Sequence, residues 1–404
     1  MKHFFQSLCQ SWTRLSLVLR ICIGLVVGTV LGLCLPYTRV IGILGDLFVW
    51  SLKAIAPVLV FVLVSSSLCN ANGKLGGRFR TLIARYILTM LLAAMVAIIG
   101  SRLFPVTFSL SQGADTQVTG SLGELFDNIL LEIVTNPLKA IAEANYLSIL
   151  FWALLTGSAL KLLGGDGTKR AFADLSNVVT QIVKWIIQCA PLGIMGLIYT
   201  NISTLGMSVY AEYAHLLLLL VGCMLVSTLV VNPILVAVIM RGNPYPLLWK
   251  CLKTSGLPAF FTRSSAANIP VNMQLCEEEG VDKDFYSVAV PLGSTVNMDG
   301  AAITITVMTL ATCHTLGIEV GFVQSVLLAL ISAAAACGAS GVAGGSLLLI
   351  PMACSLFGIG NDVAMQVVAI GFVLGVIQDS VETALNSSCD VLFIIATDLR
   401  ERFR

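Results

Sequence analysis

Apolar runs long enough to cross a bilayer recur along the whole chain and are separated by short polar loops. Six of them lie in the first part, near residues 15–36, 40–68, 79–104, 140–163, 172–200 and 214–240. Later, the stretches 284–318 and 362–397 are full-length, whereas 245–275 and 320–358 are interrupted near their centres by small and polar residues. The pattern predicts an all-α polytopic membrane protein with eight transmembrane helices and two re-entrant helical hairpins.

Composition agrees with a single membrane unit. Of the 404 residues, 57% are hydrophobic and 11% are charged, against about 25% charged in soluble domains. The first apolar run lacks a small-residue cleavage pattern, so we expect it to be retained as a helix. Twelve cysteines occur without a CxxC pair and the three histidines are isolated, which argues against zinc, iron–sulfur and disulfide sites. A net charge of +1 without a long basic tract argues against nucleic acid as a partner.

Basic residues in the short loops predict the orientation of the chain. They are Lys74, Arg78, Arg80, Lys169, Arg170, Arg241, Lys250, Arg400, Arg402 and Arg404. If both interrupted segments return to their own side, all of these residues fall on one side, and the loop 105–137, which has no lysine or arginine, falls on the other. Both termini are then expected to be cytoplasmic. The acidic loop at 277–284 would lie on the same side as the basic loops, which is an exception to the pattern, although acidic residues weigh little in this rule.

The two interrupted segments predict the position of a polar site. They contain Thr-Arg-Ser-Ser-Ala-Ala-Asn-Ile-Pro at 262–270 and Gly-Ala-Ser-Gly-Val-Ala-Gly-Gly-Ser at 338–346. Irregular backbone at membrane depth is tolerated only where it is buried in protein or lines a polar cavity. The alternative is a pair of ordinary helices that are kinked by small residues or that pack tightly through them.

Between these segments, the run 284–318 carries a polar cluster around Asn297-Met298-Asp299-Gly300. Gly293 and Gly300 are expected to let the helix unwind and turn carbonyl groups inward. Gly293, Thr295, Asn297 and Asp299 offer the oxygen ligands that a hard cation such as sodium prefers. The alternative is a satisfied polar pair inside a helix bundle.

The last apolar run carries polar residues on a single face. They are Asp379, Glu382, Thr383, Asn386 and Asp390. At about 100° per residue they fall within a stripe roughly 100° wide. Three carboxylates on one buried stripe repel one another, so the stripe predicts bound positive charge from sodium ions, a substrate ammonium group or Arg263. A solvated helix face is the alternative.

These motifs resemble those of the dicarboxylate/amino acid:cation symporter family, the relatives of the glutamate transporters. The similarity covers essentially the whole chain and is greatest to a bacterial sodium-coupled branch that carries serine and threonine. Four elements carry it in order: Thr-Arg-Ser-Ser at 262–265, Asn-Met-Asp-Gly at 297–300, the glycine-rich segment at 338–346, and the Asp379–Asp390 helix face.

The resemblance implies a homotrimer in the bacterial inner membrane that imports serine and threonine together with sodium by an elevator-type movement. Residues 1–240 would form mainly the scaffold, with the third and sixth helices moving with the transport core at 241–404. The chain is not expected to be an enzyme. The alternative is a sodium- or proton-coupled carrier of another small neutral amino acid or of a dicarboxylate.

The resemblance also assigns site residues. The substrate-binding positions are Arg263, Ser264, Ser265, Ala301, Gly341, Val342, Gly344, Asp379, Glu382, Thr383 and Asn386. Asp379 would hold the amino group, and the two hairpins would close over the substrate. A first sodium site would use Gly293, Asn297, Asn386 and Asp390; a second Thr295, Met298, Ala336, Cys337 and Ala339; and a third Asn297, Asp299, Tyr86 and Thr89.

Three positions depart from the family pattern. Acidic-substrate members have an arginine where this chain has Glu382, so an acidic substrate would meet a like charge in a low dielectric. Glu382 is expected either to accept a hydrogen bond from a substrate hydroxyl or to pair with Arg263. Ala301 replaces a threonine, and Met90 replaces a serine that supplies oxygen to the third sodium site, which leaves the number of sodium ions per cycle open.

Overall fold

The computed structural model describes residues 15–35, 38–70, 77–110, 134–339 and 344–402, and all regular structure within these ranges is helical. The first half contains Leu17–Cys34 (α1), Arg39–Asn70 (α2), Gly77–Leu103 (α3), Pro137–Ala142 (α4), Tyr146–Leu163 (α5), Asp166–Gln188 (α6), Ala190–Leu205 (α7), Val209–Val226 (α8) and Asn232–Met240 (α9). The second half contains Tyr245–Cys251 (α10), Leu257–Thr262 (α11), Ile269–Glu278 (α12), Lys283–Val296 (α13), Asp299–Thr315 (α14), Phe322–Ala336 (α15), Ile350–Ser355 (α16) and Asn361–Arg402 (α17).

These helices confirm the predicted architecture. Among the described residues, five segments are long and apolar enough to cross a membrane, namely α2, α3, α8–α9, α13–α14 and α17, and the bent pair α6–α7 makes a sixth. The shorter apolar helices α1 and α5 complete the eight predicted segments. Hairpin 1 (245–278) consists of α10 to α12, and hairpin 2 (322–355) consists of α15 and α16. The second half thus repeats one order twice, a hairpin followed by a helix that bears asparagine and aspartate. Such repeats build transporter sites at the bilayer midplane.

Two predicted spans differ in shape from the expectation. The run 172–200 is not one straight helix, because α6 and α7 meet at a bend of 53°. The break lies at Cys189 and Pro191 follows in the first turn of α7, where a proline lacks the N–H group that would continue a helix. The run 140–163 crosses only from Tyr146, because α4 ends at Glu143 and Ala144 has a left-handed φ of 55°.

The seventh crossing segment breaks at Asn297 and Met298, between α13 and α14. The predicted unwinding between Gly293 and Gly300 is therefore confirmed, although both glycines are themselves helical. They also permit close approach of α17. A Cβ atom on Gly300 would lie 2.9 Å from Cγ of Glu382, so only glycine fits without displacement.

Helices α14 and α17 form the centre of the second half. Every residue of α14 from Asp299 to Cys313 is buried, and α17 contacts both hairpins and α3, α8 and α9. In the first half, α2 packs against α5, α6 and α7, and α1 packs mainly against α7. The polar groups of α17 are thereby held in the interior.

The acidic loop at 277–284 lies beside basic residues. Lys250 pairs with Glu279 at 2.5 Å and with Glu278 at 4.0 Å. Arg78 contacts Asp282 at 3.0 Å and Asp398 at 3.4 Å. The acidic loop therefore belongs to the same end of the molecule as the loops rich in lysine and arginine, which accounts for its exception to the charge rule.

Candidate functional site

The buried carboxylate of Asp379 joins the two hairpins. Its Oδ2 atom accepts a hydrogen bond from Nε of Arg263 at 2.6 Å, and its Oδ1 atom accepts one from the backbone N–H of Gly344 at 3.1 Å. Arg263 follows α11 with a φ of 52°, in the left-handed region that favours glycine. The predicted pairing of Arg263 with Glu382 is wrong, because its guanidinium lies on Asp379 instead.

Glu382 lies one helical turn after Asp379 and accepts hydrogen bonds from three elements. Its Oε2 atom accepts from Oγ1 of Thr304 at 2.7 Å, Oγ of Ser346 at 2.9 Å and Nε2 of Gln378 at 2.5 Å. Sequence analysis did not assign these three donors to the site. Gln378 is adjacent to Asp379, and Ser346 is the last residue of the glycine-rich segment, so the sequence motifs could have indicated both. Thr304 is one of several threonines in its helix, and nothing in the sequence distinguishes it from the others.

The remaining predicted substrate positions are placed unevenly. Oδ1 of Asn386 accepts a hydrogen bond from the N–H of Gly300 at 2.8 Å, which ties α14 to α17. The hydroxyl of Thr383 donates to the backbone oxygen of Asp379 within α17 at 2.7 Å. Ser265 and Ala301 are buried, and Oγ of Ser264 accepts from the N–H of Ala267. Gly341 and Val342 lie outside the described residues.

Asp390 fits the first sodium site. Both of its carboxylate oxygens are buried and have no hydrogen-bond partner among the described residues. Gly293 faces this carboxylate so closely that a Cβ atom there would lie 3.0 Å from Oδ1. An unpartnered buried carboxylate is costly unless a cation balances it. Unpartnered carboxylate oxygens of this kind are ligands that hard cations prefer.

The third predicted site lies beside the first. Oδ1 of Asp299 is buried without a partner among the described residues, while Oδ2 accepts from Nδ2 of Asn232 at 3.0 Å. Oγ1 of Thr89 donates to Oδ1 of Asn297 at 3.4 Å and to the backbone oxygen of Tyr86 at 2.9 Å. The structure thus joins Thr89 to Asn297 and Tyr86, and it leaves one buried oxygen of Asp299 without a partner among the described residues.

The second predicted set is not joined by hydrogen bonds. Thr295 is exposed, and its hydroxyl donates to the backbone oxygen of Leu292 within α13. On hairpin 2, Ala336 and Ala339 are buried, and Sγ of Cys337 lies 3.9 Å from Sδ of Met90. Met298 is contacted instead by Nδ2 of Asn386, 3.4 Å from its sulfur. This site remains a prediction.

A fully buried polar network holds hairpin 1 against α17. Nδ2 of Asn268 lies 2.7 Å from Oγ of Ser387 and 3.0 Å from Oγ of Ser255. Nδ2 of Asn272 lies 3.1 Å from the same Ser387 hydroxyl. Because Ser255 belongs to one arm of the hairpin and both asparagines to the other, the network fixes both arms beside Arg263.

Substitution of Gly293 by alanine is expected to weaken sodium binding. The added methyl group would lie 2.8 Å from Oη of Tyr86 and 3.0 Å from Cγ of Asp390, and overpacking of this kind costs about 1–3 kcal/mol. Sodium-induced thermal stabilisation of the purified protein measures the effect. Gly222→Ala is the matched control, since a Cβ there meets nothing within 4 Å. Equal sodium affinity in both variants would contradict the assignment.

The geometry defines a class of protein. Two hairpins meet on one buried carboxylate, and a broken helix lies beside further carboxylates that lack partners. Discontinuous elements of this kind hold substrate and coupling ions in secondary active transporters. The site is that of a transporter and not of an enzyme.

The chain belongs to the sodium:dicarboxylate symporter family, whose profile matches residues 17–398. It is 55% identical over 379 residues to the serine/threonine transporter SstT of Bifidobacterium adolescentis, an alignment that covers 94% of this chain and 88% of the relative. It is 54% identical to the protein of that name from Streptococcus agalactiae serotype III, with 97% of each chain covered. A third relative of that name, from Streptococcus thermophilus, is 51% identical over 97% of each chain.

Proposed function

We propose that this protein imports serine and threonine with sodium as the co-transported ion. The observation that carries the proposal is the pair of buried carboxylates one turn apart, Asp379 and Glu382. A substrate ammonium group suits Asp379, whereas a dicarboxylate would meet the like charge of Glu382 in a low dielectric. The similar proteins named serine/threonine transporters support the same choice.

When the substrate binds, its ammonium group replaces the guanidinium of Arg263 beside the carboxylate of Asp379. In the structure, Nε of Arg263 lies 2.6 Å from Oδ2 of Asp379. The substrate ammonium takes the place of the guanidinium, which then lies free to hold the substrate carboxylate. Gly344, bonded to the other oxygen of Asp379, keeps hairpin 2 over the bound molecule. Net charge in the site is unchanged because the amino acid is a zwitterion.

Glu382 accepts a hydrogen bond from the substrate hydroxyl and thereby recognises it. Its three donors all bond to Oε2, so Oε1 receives none of these bonds and is available to accept from a substrate. An ammonium and a hydroxyl on adjacent carbons then span Asp379 and Glu382, whose positions three apart on a helix are neighbours. A site built to bond a hydroxyl rejects analogues that lack it far more strongly than an apolar pocket does.

Glu382→Gln is therefore expected to reduce discrimination. The ratio of serine to alanine kcat/KM should fall at least about tenfold, because one charge-assisted hydrogen bond contributes about 1.5–3 kcal/mol. Uptake of both labelled amino acids measures the ratio. The matched control is Ser380→Ala in the same helix, because the Ser380 hydroxyl donates to the backbone oxygen of Val376 within α17. An unchanged ratio in Glu382→Gln would assign Glu382 a structural role.

Sodium couples to the substrate through the shared helix α17. Sodium on Asp390 and Asp299 neutralises the carboxylates that lack partners and orders the neighbouring Asn386, which is bonded to Gly300. Each ion moved inward contributes about 2.3 kcal/mol per 100 mV and about 1.4 kcal/mol per tenfold gradient. One or two ions are sufficient for strong accumulation, and binding of each partner favours the other.

The chain acts as a homotrimer in the bacterial inner membrane with both termini in the cytoplasm. The core at 241–404, together with α3 and α8–α9, moves against a scaffold formed by α1, α2, α5, α6 and α7. This division is supported by the packing of α3 on α14 and α15, and by the separate packing of α2 on α5, α6 and α7. Basic residues gathered with the acidic loop at 277–284 support a cytoplasmic position for that end.

Competition tests the choice of substrate. Labelled serine is taken up into proteoliposomes with an inward sodium gradient, and unlabelled threonine, alanine, aspartate and succinate are added in turn. Threonine should block uptake, and aspartate and succinate should not. Inhibition by aspartate or succinate would assign the protein to a dicarboxylate branch and overturn the role given to Glu382.

A further inference from the structure

Asn232 is a polar residue in the middle of the sixth crossing segment that the transport cycle described above does not use. Its side chain is fully buried. Nδ2 lies 3.0 Å from Oδ2 of Asp299 and 2.9 Å from Sγ of Cys389. Oδ1 is buried and has no hydrogen-bond partner among the described residues. An amide at bilayer depth with an unmet oxygen is a costly arrangement that points to a ligand.

The orientation of this amide follows from its neighbours. The two ends of an asparagine amide are assigned from the hydrogen bonds around them. Asp299 presents carboxylate oxygens, which only accept when ionised, so the NH₂ group of Asn232 must face it. Oδ1 belongs to the same amide, and Oδ1 of Asp299 also lacks a partner among the described residues. A cation bound beside both groups would satisfy two buried oxygens at once.

The local backbone places Asn232 there. Residues Ser227–Val231 form a π-helical turn immediately before it, and Pro233 follows it. A π-turn widens the helix and shifts the side chains that come after it, and such turns are frequent at functional sites. In this chain the turn brings a residue of the sixth segment to Asp299 on α14.

Position 90 adds no oxygen to this region. Met90 is a buried side chain whose sulfur lies 3.9 Å from Sγ of Cys337 on hairpin 2. Thioether sulfur is a poor ligand for a hard cation. The neighbouring Thr89 faces Asn297. An oxygen from Asn232 would add to those of Asp299, Asn297 and Thr89.

We propose that Oδ1 of Asn232 is a sodium ligand beside the carboxylate of Asp299. The proposal rests on the sodium coupling proposed above. It adds the sixth crossing segment to the elements that hold the ion, so sodium ties α9 to α14 and α17. A neutral amide beside a single carboxylate suits a monovalent cation.

Sodium-induced thermal stabilisation without substrate tests this assignment on the purified full-length protein. Asn232→Leu removes the oxygen and should raise the half-maximal sodium concentration at least about tenfold, the range seen when weaker contacts of a metal site are removed. Asn232→Asp retains an oxygen at the position and should stay within about threefold of the wild type by the same scale. The matched control is Asn201→Leu in α7, whose Nδ2 donates to Oη of Tyr213.

The two variants separate a ligand from a structural donor. If Asn232 only donates to Asp299, Asn232→Asp replaces that donor by a second carboxylate and should be the worse variant, which would overturn the proposal. Equal sodium concentrations for Asn232→Leu and Asn201→Leu would also overturn it. If Asn232→Leu does not fold, the result for Asn232→Asp decides. A wild-type protein that sodium does not stabilise would contradict the proposed sodium coupling itself.

Discussion

Replacing Asp379 with asparagine is expected to lower sodium-driven serine uptake at least about 30-fold, because removing one partner of a buried charge pair costs about 2–5 kcal/mol. The carboxylate is the only group seen to join both hairpins through Arg263 and Gly344 among the described residues. Asparagine keeps the size of the side chain but gives the substrate ammonium no charge to pair with. Initial rates of labelled serine uptake measure the loss.

The same variant should also be less stable. Arg263 in hairpin 1 is largely shielded from solvent and loses its only ion pair among the described contacts, and an uncompensated, poorly solvated charge is destabilising. The melting temperature should fall equally in sodium and in potassium. Ser380→Ala, the next residue along α17, controls for disturbance of the helix and should retain uptake. Uptake by Asp379→Asn above half of the wild-type rate would show that the ammonium binds elsewhere.

The second large effect is expected for Asp390→Asn. Its two oxygens are buried and have no hydrogen-bond partner among the described residues, and in the proposed function sodium stabilises this charge. Removal of that charge should raise the half-maximal sodium concentration for uptake at least about 100-fold, since a lost partner of a buried charge costs about 3–5 kcal/mol. The dependence of uptake on sodium concentration, at a fixed serine concentration, measures the change.

In the absence of sodium, Asp390→Asn is expected to stabilise the protein against thermal unfolding. Without sodium, the wild type must keep a buried carboxylate that no donor satisfies, whereas asparagine is neutral, so the variant should melt at a higher temperature in potassium. The matched control is Asp362→Asn, whose carboxylate is 84% exposed and paired with Lys53. A variant that needs the same sodium concentration as the wild type would exclude Asp390 as a sodium ligand.

Much of the fold and part of the site could be predicted from the sequence, because polar groups inside apolar runs are conspicuous. The interruptions at 262–270 and 338–346, the cluster at 297–300 and the polar face of α17 gave the hairpins, the broken helix and the central carboxylates. The bend at Cys189 was not predicted, although Pro191 beside it is a residue that interrupts helices.

Hydrogen-bond and ion-pair partners that come from different helices could not be predicted from the sequence. Arg263 carries the only basic side chain in the hairpin tip, yet whether it reaches Asp379 or Glu382 depends on where α11 ends and on a left-handed residue. The donors around Glu382 come from α14, hairpin 2 and α17, which no periodicity brings together. The roles of Gly293 and Gly300 could not be separated from the sequence, because glycines that allow close packing and glycines that allow unwinding have the same sequence signature.

Asn232 shows a signal that sequence analysis passed over. An asparagine followed by proline inside the apolar run 214–240 is as unusual at bilayer depth as the carboxylates of α17. Its importance became visible only when Asp299 was found beside it.

Serine accumulation in proteoliposomes under defined gradients tests the central claim most directly. Matched vesicles receive an inward gradient of sodium, of potassium or of protons, with the membrane potential clamped. Sodium should drive accumulation above equilibrium, and collapse of the sodium gradient should release the accumulated serine. Accumulation driven by protons without sodium, or equal uptake under all three gradients, would contradict sodium-coupled transport of serine by this protein.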